Sequence, residues 1–460
     1  MDLSGKDLPK IVVAPPGPRS RSLMQRLHEV ESRNITFSSE RFPVFFERGA
    51  GANLLDVDGN LYVDLTAAFG VAATGHSNPA VVEAVTSQAH LLLHGIGDVH
   101  PNEVKVALSE KLCALAPGDG PKRAILSSTG AEAVESALKT AMVASGKPGV
   151  LCFTGAYHGL TYGTLEVTDR DFFRTPFSRQ LGKFSTRVPY AYCYRCPLSL
   201  TYPACENACL SFVEEAVSGD GGDRIGAVLV EAVQGRGGVV NAPFDWLLEL
   251  RELCDRRKLL LIVDEVYTGF GRTGRWFACE HAGVEPDLLC VGKGMASGFP
   301  ISACIGKAAV MDAWPESDGE AIHTSTFLGQ PTGCAAALAS IEQIERLGLV
   351  ERAAQLSAVV QRELEELREK VGPSVGDVRG CGLMWAVELI SEGGAGNRAQ
   401  ASAAVTGALE RGVVVLAGGP ECHVLSLSPP LVITQEQLQF AVRALVAALE
   451  HARLPAERNA

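Results

Sequence analysis

The sequence predicts an α/β protein: a large domain on a mainly parallel sheet covered by helices, plus a smaller α+β domain. Three observations carry this. From about residue 104 to 310, short apolar runs, "AILSS", "VLCFT", "AVLVE", "LLLIV", "LLCVG" and "ISACIG", alternate with helical patterns, as in parallel strands buried on both faces. Beyond about residue 330 the texture changes to long amphipathic helices, "GLVERAAQLSAVVQRELEELREKVG" among them, interleaved with short strands such as "LMWAVEL" and "VVVLAG". A chain of 460 residues is also long for one core.

Taken in order, residues 1–40 carry the loop-like "APPGPRSRS" and then polar sequence, which predicts an arm rather than a domain. "LLDVDGNLYVDL" follows, with alternating apolar residues on either side of Asp58-Gly59, a hairpin signal. After "SSTG", apolar residues at Val134, Ala137, Leu138, Ala141 and Met142 predict a helix with one buried face. Thr434 and Gln437 form a capping-box start for the last helix. The predicted organisation is 1–60, an arm and hairpin joining the small domain; 61–329, the large domain; and 330–460, the small domain.

Composition, 47% hydrophobic and 20% charged, is that of a globular protein. A formal charge of −12 argues against nucleic acid or an anionic membrane as partner, because no basic excess is present to displace counterions. No secretory leader pattern and no bilayer-length apolar stretch is visible, so a cytoplasmic location is expected. Nine of the thirteen cysteines are scattered singly, as expected of reduced thiols packed as small hydrophobes.

The chemistry begins in "LLLIVDEVYTGFGRTG", residues 259–274. A buried apolar strand ends in Asp264, and ligands of open α/β sheets sit outside the carboxyl ends of strands. Lys293 follows another buried run, "LLCVGKGMASGFP"; a desolvated amine of lowered pKa suits Schiff-base chemistry. Ser128, Thr129 and Gly130 precede a helix whose first backbone N–H groups suit an anion. Each has a plain structural reading: a structural acid, a buried lysine, an ordinary cap. Together they ask for one ligand with a phosphate, an aldehyde and a cationic ring nitrogen, which is pyridoxal 5'-phosphate.

The chain resembles the class III aminotransferases, the acetylornithine, ornithine, 4-aminobutyrate and ω-amine group of fold-type I pyridoxal-phosphate enzymes. The matching stretches include "GHSNPAVVEAV", "TGAEAVESALKTA", "GAYHGLTYGTL", "VLVEAVQGRGG", "IVDEVYTGFGRTG", "VGKGMASGFPISA" and "HTSTFLGQPTGCAAALA". The resemblance covers essentially all of the chain after the first forty residues. It implies that Lys293 forms the aldimine with the cofactor and then shuttles the proton, while Asp264 pairs with the pyridine nitrogen. It implies further that Gly130 and Ala131 bind phosphate through backbone amides, Tyr157 stacks on the ring, Val266 packs on its other face, and Thr326 reaches the phosphate of a neighbouring subunit in a homodimer. The implied reaction moves an amino group from an amino acid or amine donor to a 2-oxo acid. The alternative on the same scaffold is an amino-acid racemase or epimerase, and decarboxylase, lyase and cofactor-free binding proteins are more distant readings.

The chain departs from the family pattern in places. The arginine that often follows "HG" is Leu160, and a Glu–Arg pair near the site is replaced by Arg236 and Ser426. Arg236 is therefore expected either to bind a substrate carboxylate or to pair with Glu231 or another acid. Glu231 keeps the family acid, in the network around the site or in a structural role. The usual Gln after "DEV" is Tyr267, whose hydroxyl would donate to the cofactor's phenolic oxygen or whose ring would reshape the pocket.

Two motifs stand apart. "GFGRTG", Gly269 to Gly274, matches a dinucleotide pattern, but five residues separate it from its strand and no helical period follows. Cys193, Cys196, Cys205 and Cys209, spaced C-x2-C then C-x3-C, admit a structural metal or cluster, reduced thiols or a disulfide. No metal is assigned to the reaction.

Overall fold

The computed structural model describes residues 3–453. They fall into two compact units, one of Pro79–Ala353 and one of Met1–Asn78 with Ala354–Ala460.

The larger unit is organised by a seven-stranded sheet in the order Lys122–Ser127, Ser302–Lys307, Leu288–Val291, Leu260–Asp264, Ile225–Val230, Gly149–Phe153, Ser185–Val188. Ser302–Lys307 runs antiparallel to both its neighbours and the other pairings are parallel. Six of these strands are the apolar runs of the sequence. The seventh, Ser185–Val188, is an edge strand whose residues are only partly buried, so it carries no apolar run to announce it. The five central strands are almost wholly buried, with Ile262, Leu229, Cys290 and Cys304 packed against Ala133, Val134 and Ala137 of the helix Gly130–Ser145.

That helix starts at a capping box: Thr129 accepts from the Glu132 N–H, and the Glu132 carboxylate accepts from the Thr129 N–H. Its buried stripe includes Val134, Ala137, Leu138 and Ala141 as expected, but Met142 is 56% exposed. At 3.6 residues per turn, position 142 lies on the rim of the stripe that 134, 138 and 141 define.

In the smaller unit, Asn53–Asp56 and Leu61–Asp64 form the expected antiparallel hairpin, with Leu54 opposite Tyr62 and Gly59 in the turn at φ 90°. The N-terminal arm lies on it: Asp7 N–H donates to Asn53, the Val12 and Val13 N–H groups to Asn60, and the Ser20 hydroxyl to Asp58. Part of the arm is a helix, Pro18–Val30, which its proline-rich opening concealed; Pro18 occupies the first helical position, where its missing N–H costs nothing. A four-stranded antiparallel sheet, Val375–Cys381, Met384–Leu389, Val424–Leu427 and Leu416–Gly418, is joined by helices Arg398–Glu410 and Gln435–Arg453. Gln437 accepts from the Thr434 N–H and donates its own N–H to the Thr434 hydroxyl, the capping box read from the sequence.

The unit boundaries differ from the expected cuts at 60 and 329. Leu61–Asp64 pairs with Asn53–Asp56 and Val413–Val414, which holds it in the smaller unit. The helix Pro331–Arg346 packs on Pro79–Leu91 and Glu103–Leu115, which holds it in the larger one. The run "VVVLAG" is also two strands, Val413–Val414 and Leu416–Gly418, in different sheets. Among the described residues no helix is long and apolar enough to cross a membrane.

Candidate active site

The parallel register of the central strands brings the site together. Val263 is level with Val230, so Asp264 and Glu231 emerge side by side, and Asp264 is level with Cys290, three residues before Lys293. A cavity of about 270 Å³ at these strand ends is lined by Gly130, Ala131, Tyr157, His158, Gly159, Leu160, Glu231, Arg236, Asp264, Val266, Tyr267 and Lys293. Every residue expected at the site lines it except Thr326, which lies on an exposed turn of the same unit.

Lys293 opens a short 3₁₀ turn, Lys293–Met295, directly after the strand, with its backbone in the left-handed region at φ 43°. Such a conformation is costly for a residue with a β-carbon and recurs at functional positions. Burial pulls its amine down to about 8, against the opposing pull of Asp264 and Glu231; Arg236 adds to the lowering. The Nζ atom stands 4.2 Å from the centroid of the Tyr267 ring.

Asp264 Oδ1 accepts from the Val266 N–H at 3.0 Å, and Oδ2 pairs with His158 Nδ1 at 2.8 Å. His158 is buried, and its other nitrogen, Nε2, has no partner in the structure. Sequence reasoning passed over His158; its signal was a histidine beside Tyr157 in a segment otherwise built of small and apolar residues. With Nδ1 on a carboxylate, this histidine orients Asp264.

Glu231 accepts from the Tyr157 N–H at 3.0 Å and the Gly235 N–H at 2.9 Å, which ties two cavity walls together. Burial pushes its carboxyl up to about 7; His158 and the two N–H groups counter this and Asp264 reinforces it. Arg236 sits with its guanidinium 5.7 Å from the Tyr157 ring centroid. On the opposite face of the cavity Gly130 is packed so closely that a β-carbon there would lie 2.7 Å from Val266 Cγ1. A glycine at the first position of a helix, pressed against Val266, leaves the backbone N–H groups open to an anion.

The other motifs lie apart. "GFGRTG" forms turns and no helix, with Arg272 and Thr273 buried. All thirteen cysteines are unpaired, including Cys193, Cys196, Cys205 and Cys209, which together line a small cavity of about 20 Å³. Among the described residues no group of three or more His, Cys, Asp or Glu side chains is arranged to hold a metal ion.

A buried lysine, a carboxylate backed by histidine and an open helix start, all at the carboxyl ends of one mainly parallel sheet, define an α/β enzyme site built for an anionic ligand. The family can be given more closely. The family model for Aminotransferase class-III matches residues 35–449, and the chain belongs to that family. It is 38% identical over 443 residues to a 4-aminobutyrate aminotransferase of Mycobacterium leprae, covering 93% of this chain and 95% of that one. It is also 34% identical over 454 residues to an alanine/serine racemase of Pyrococcus horikoshii, covering 96% and 93%. Among solved structures, an amine transaminase from an uncultivated Pseudomonas species, in its PLP-bound form, superposes with a TM-score of 0.85 at 31% identity, covering 92% of this chain and 99% of that one.

Proposed function

We propose that this protein is a pyridoxal-phosphate-dependent transaminase that moves an amino group from an amino acid or amine to a 2-oxo acid. The observation that carries the reading is the buried Lys293 amine, lowered to about 8 and facing Asp264 and Glu231 across one cavity. The site fits the cofactor on its own terms: the open helix start at Gly130 and Ala131 suits a phosphate, the lysine an aldehyde, and Asp264 a basic ring nitrogen. When bound, pyridoxal phosphate would supply an aldehyde to take up the donor nitrogen and a ring to accept the electron pair left when a proton departs.

The chain's own residues do the rest. Lys293 Nζ would hold the cofactor's aldehyde carbon, and as a free amine it would carry a proton between the donor's α carbon and that carbon, which lies on the other side of the donor nitrogen. A pKa near 8 suits both acts, because an amine near 10.5 would be almost wholly protonated at neutral pH. Asp264, oriented by His158, would pair with the ring nitrogen. Tyr157 and Val266, both lining the cavity, would hold the ring between them. Arg236 takes the substrate carboxylate, and the apolar Leu160 lines the wall where many relatives carry arginine. Thr326, on its exposed turn, serves the phosphate of a second copy in a homodimer. Thirteen unpaired cysteines suit a reducing compartment, so we place the enzyme in the cytoplasm.

Likeness to the Pyrococcus racemase keeps a second reading in view, in which the proton returns to the same carbon. Adding amino acids to the cofactor-loaded enzyme without any oxo acid separates the two. Lasting loss of the visible band with release of an oxo acid is transamination. A band that persists while the α hydrogen exchanges with solvent deuterium is racemisation, and no band at all removes both. For Arg236, the Arg236→Ala enzyme should show a KM raised at least about tenfold for carboxylate donors and unchanged for simple amines; equal effects on both would sink that assignment.

A further inference from the structure

Tyr267 occupies the position where the family usually has glutamine, and its ring packs closely on Gly235. A β-carbon on Gly235 would overlap Cδ1 of the Tyr267 ring, so the edge of the ring abuts residue 235. Gly235 is itself held in place, since its N–H donates to Glu231. Nothing in the turn's backbone demands glycine at 235, because it is absent from the residues with positive φ. The close approach of the ring does demand it. The ring presents its face to Lys293 Nζ at 4.2 Å from the centroid.

An aromatic face attracts an ammonium and gives nothing comparable to the neutral amine, so a ring in this place discriminates between the two charge states of the lysine. We infer that Tyr267 is a positioning residue for Lys293: its ring is the seat on which the charged amine rests, and Gly235 is the gap that admits the ring. This rests on the reading of Lys293 as the cofactor-bearing lysine.

The charged and titratable groups around that amine are Asp264 from its strand end, Glu231 and Arg236 from the neighbouring one, and His158 through Asp264. Asp264 and Glu231 favour the ammonium, while burial and Arg236 disfavour it. The ring works with the two carboxylates and adds no charge of its own. It therefore steadies the lysine after it has taken a proton and offsets part of the lowering that burial causes. It is the ring rather than the hydroxyl that matters here, which separates this role from hydrogen bonding by Tyr267.

The test uses the apoenzyme, so turnover does not enter. Pyridoxal phosphate is mixed with apoenzyme across a pH series, and the rate of appearance of the visible band is followed; capture needs the neutral amine, so its midpoint reports the lysine. Tyr267→Phe keeps the ring and should leave the midpoint where it is. Tyr267→Leu should lower it by about one pH unit, the shift a desolvated cation–ring contact is worth. Gly235→Ala, which displaces the ring without deleting it, should lower it as well.

Equal midpoints for the Phe and Leu variants would overturn the inference, and an unmoved midpoint in Gly235→Ala would overturn the part given to glycine. Should Tyr267→Leu fail to fold, Tyr267→Gln, the residue usual in the family, carries the same comparison with Phe. A Lys293→Ala apoenzyme that still forms a borohydride-stable adduct would instead strike down the underlying assignment of the lysine, whatever the ring variants do.

Discussion

Asp56 and Asp264 are both buried carboxylates at the ends of strands, one in each unit, and their surroundings differ in kind. Asp56 accepts four hydrogen bonds, from the Asp58 and Asn60 N–H groups, the Asn60 side chain and the Tyr62 hydroxyl, at 2.8 to 2.9 Å. That satisfies about all that a carboxylate can accept. Asp264, among the described residues, accepts two, and the histidine behind it has a buried nitrogen with no partner. The first carboxylate closes a turn of the hairpin; the second is left with capacity that only a ligand would use. A buried charge is informative about function chiefly through what it has not been given.

The largest effect that would sharpen this contrast is on Lys293. Lys293→Ala should lower turnover by at least about 10³-fold, because one group both anchors the cofactor and moves the proton; steady-state kinetics and loss of the visible band check it. Near-normal turnover would end the contrast at once.

Next is the pH dependence of the apoenzyme's stability. The Lys293 amine stands at about 8 in the folded chain against 10.5 as its ordinary value. Between those values the unfolded chain holds more of this proton, so stability rises with pH there, and below 8 the folded apoenzyme carries the full penalty, about 3 kcal/mol. Lys293→Met should abolish that rise and stabilise the apoenzyme at pH 7. Urea unfolding at pH 7 and pH 10 reads both, and an unchanged slope in the variant would mean the amine is not desolvated.

The smallest effect is a matched pair of substitutions. Asp56→Asn puts an NH2 donor in place of one acceptor oxygen, against groups that themselves donate, and should cost about 2 kcal/mol of stability with turnover per folded molecule unchanged. Asp264→Asn keeps its two neighbours bonded, through an altered histidine tautomer, and should cost under about 1 kcal/mol while lowering turnover roughly 10²-fold. Urea midpoints and kcat for the two variants decide it. Similar stability losses in both would erase the distinction between a satisfied and a waiting carboxylate.

Much of this was legible beforehand for identifiable reasons. The five central strands were visible because burial on both faces leaves an unbroken hydrophobic run, and Lys122–Ser127, at one edge, still ends in buried residues, Leu126 and Ser127, whereas Ser185–Val188, at the other edge, had only partial burial to record. The helix stripe over Val134 to Ala141 was legible from period, and Met142 misled because it sits on the stripe's rim. The unit boundaries were not legible from composition: the hairpin signal around Asp58-Gly59 already ties Leu61–Asp64 to Asn53–Asp56 across the cut at 60, while its second partner, Val413–Val414, and the helices that hold Pro331–Arg346 lie far along the chain. His158 was missed because a single histidine in a segment announces nothing until the carboxylate it meets, 106 residues later, is known.

By itself, the sequence determined the α/β class, the strand-end carboxylate, the buried lysine and the helix start for an anion, because each is written in short-range pattern: hydrophobic period, turn residues and caps. Only the tertiary structure decided which of these meet. The parallel register sets Asp264 level with Glu231, His158 reaches back to Asp264, and Gly235 yields its space to the ring of Tyr267 beside Lys293. Burial and close approach between distant segments are properties of the folded chain, and they are what turn an ordinary amine and an ordinary acid into a site.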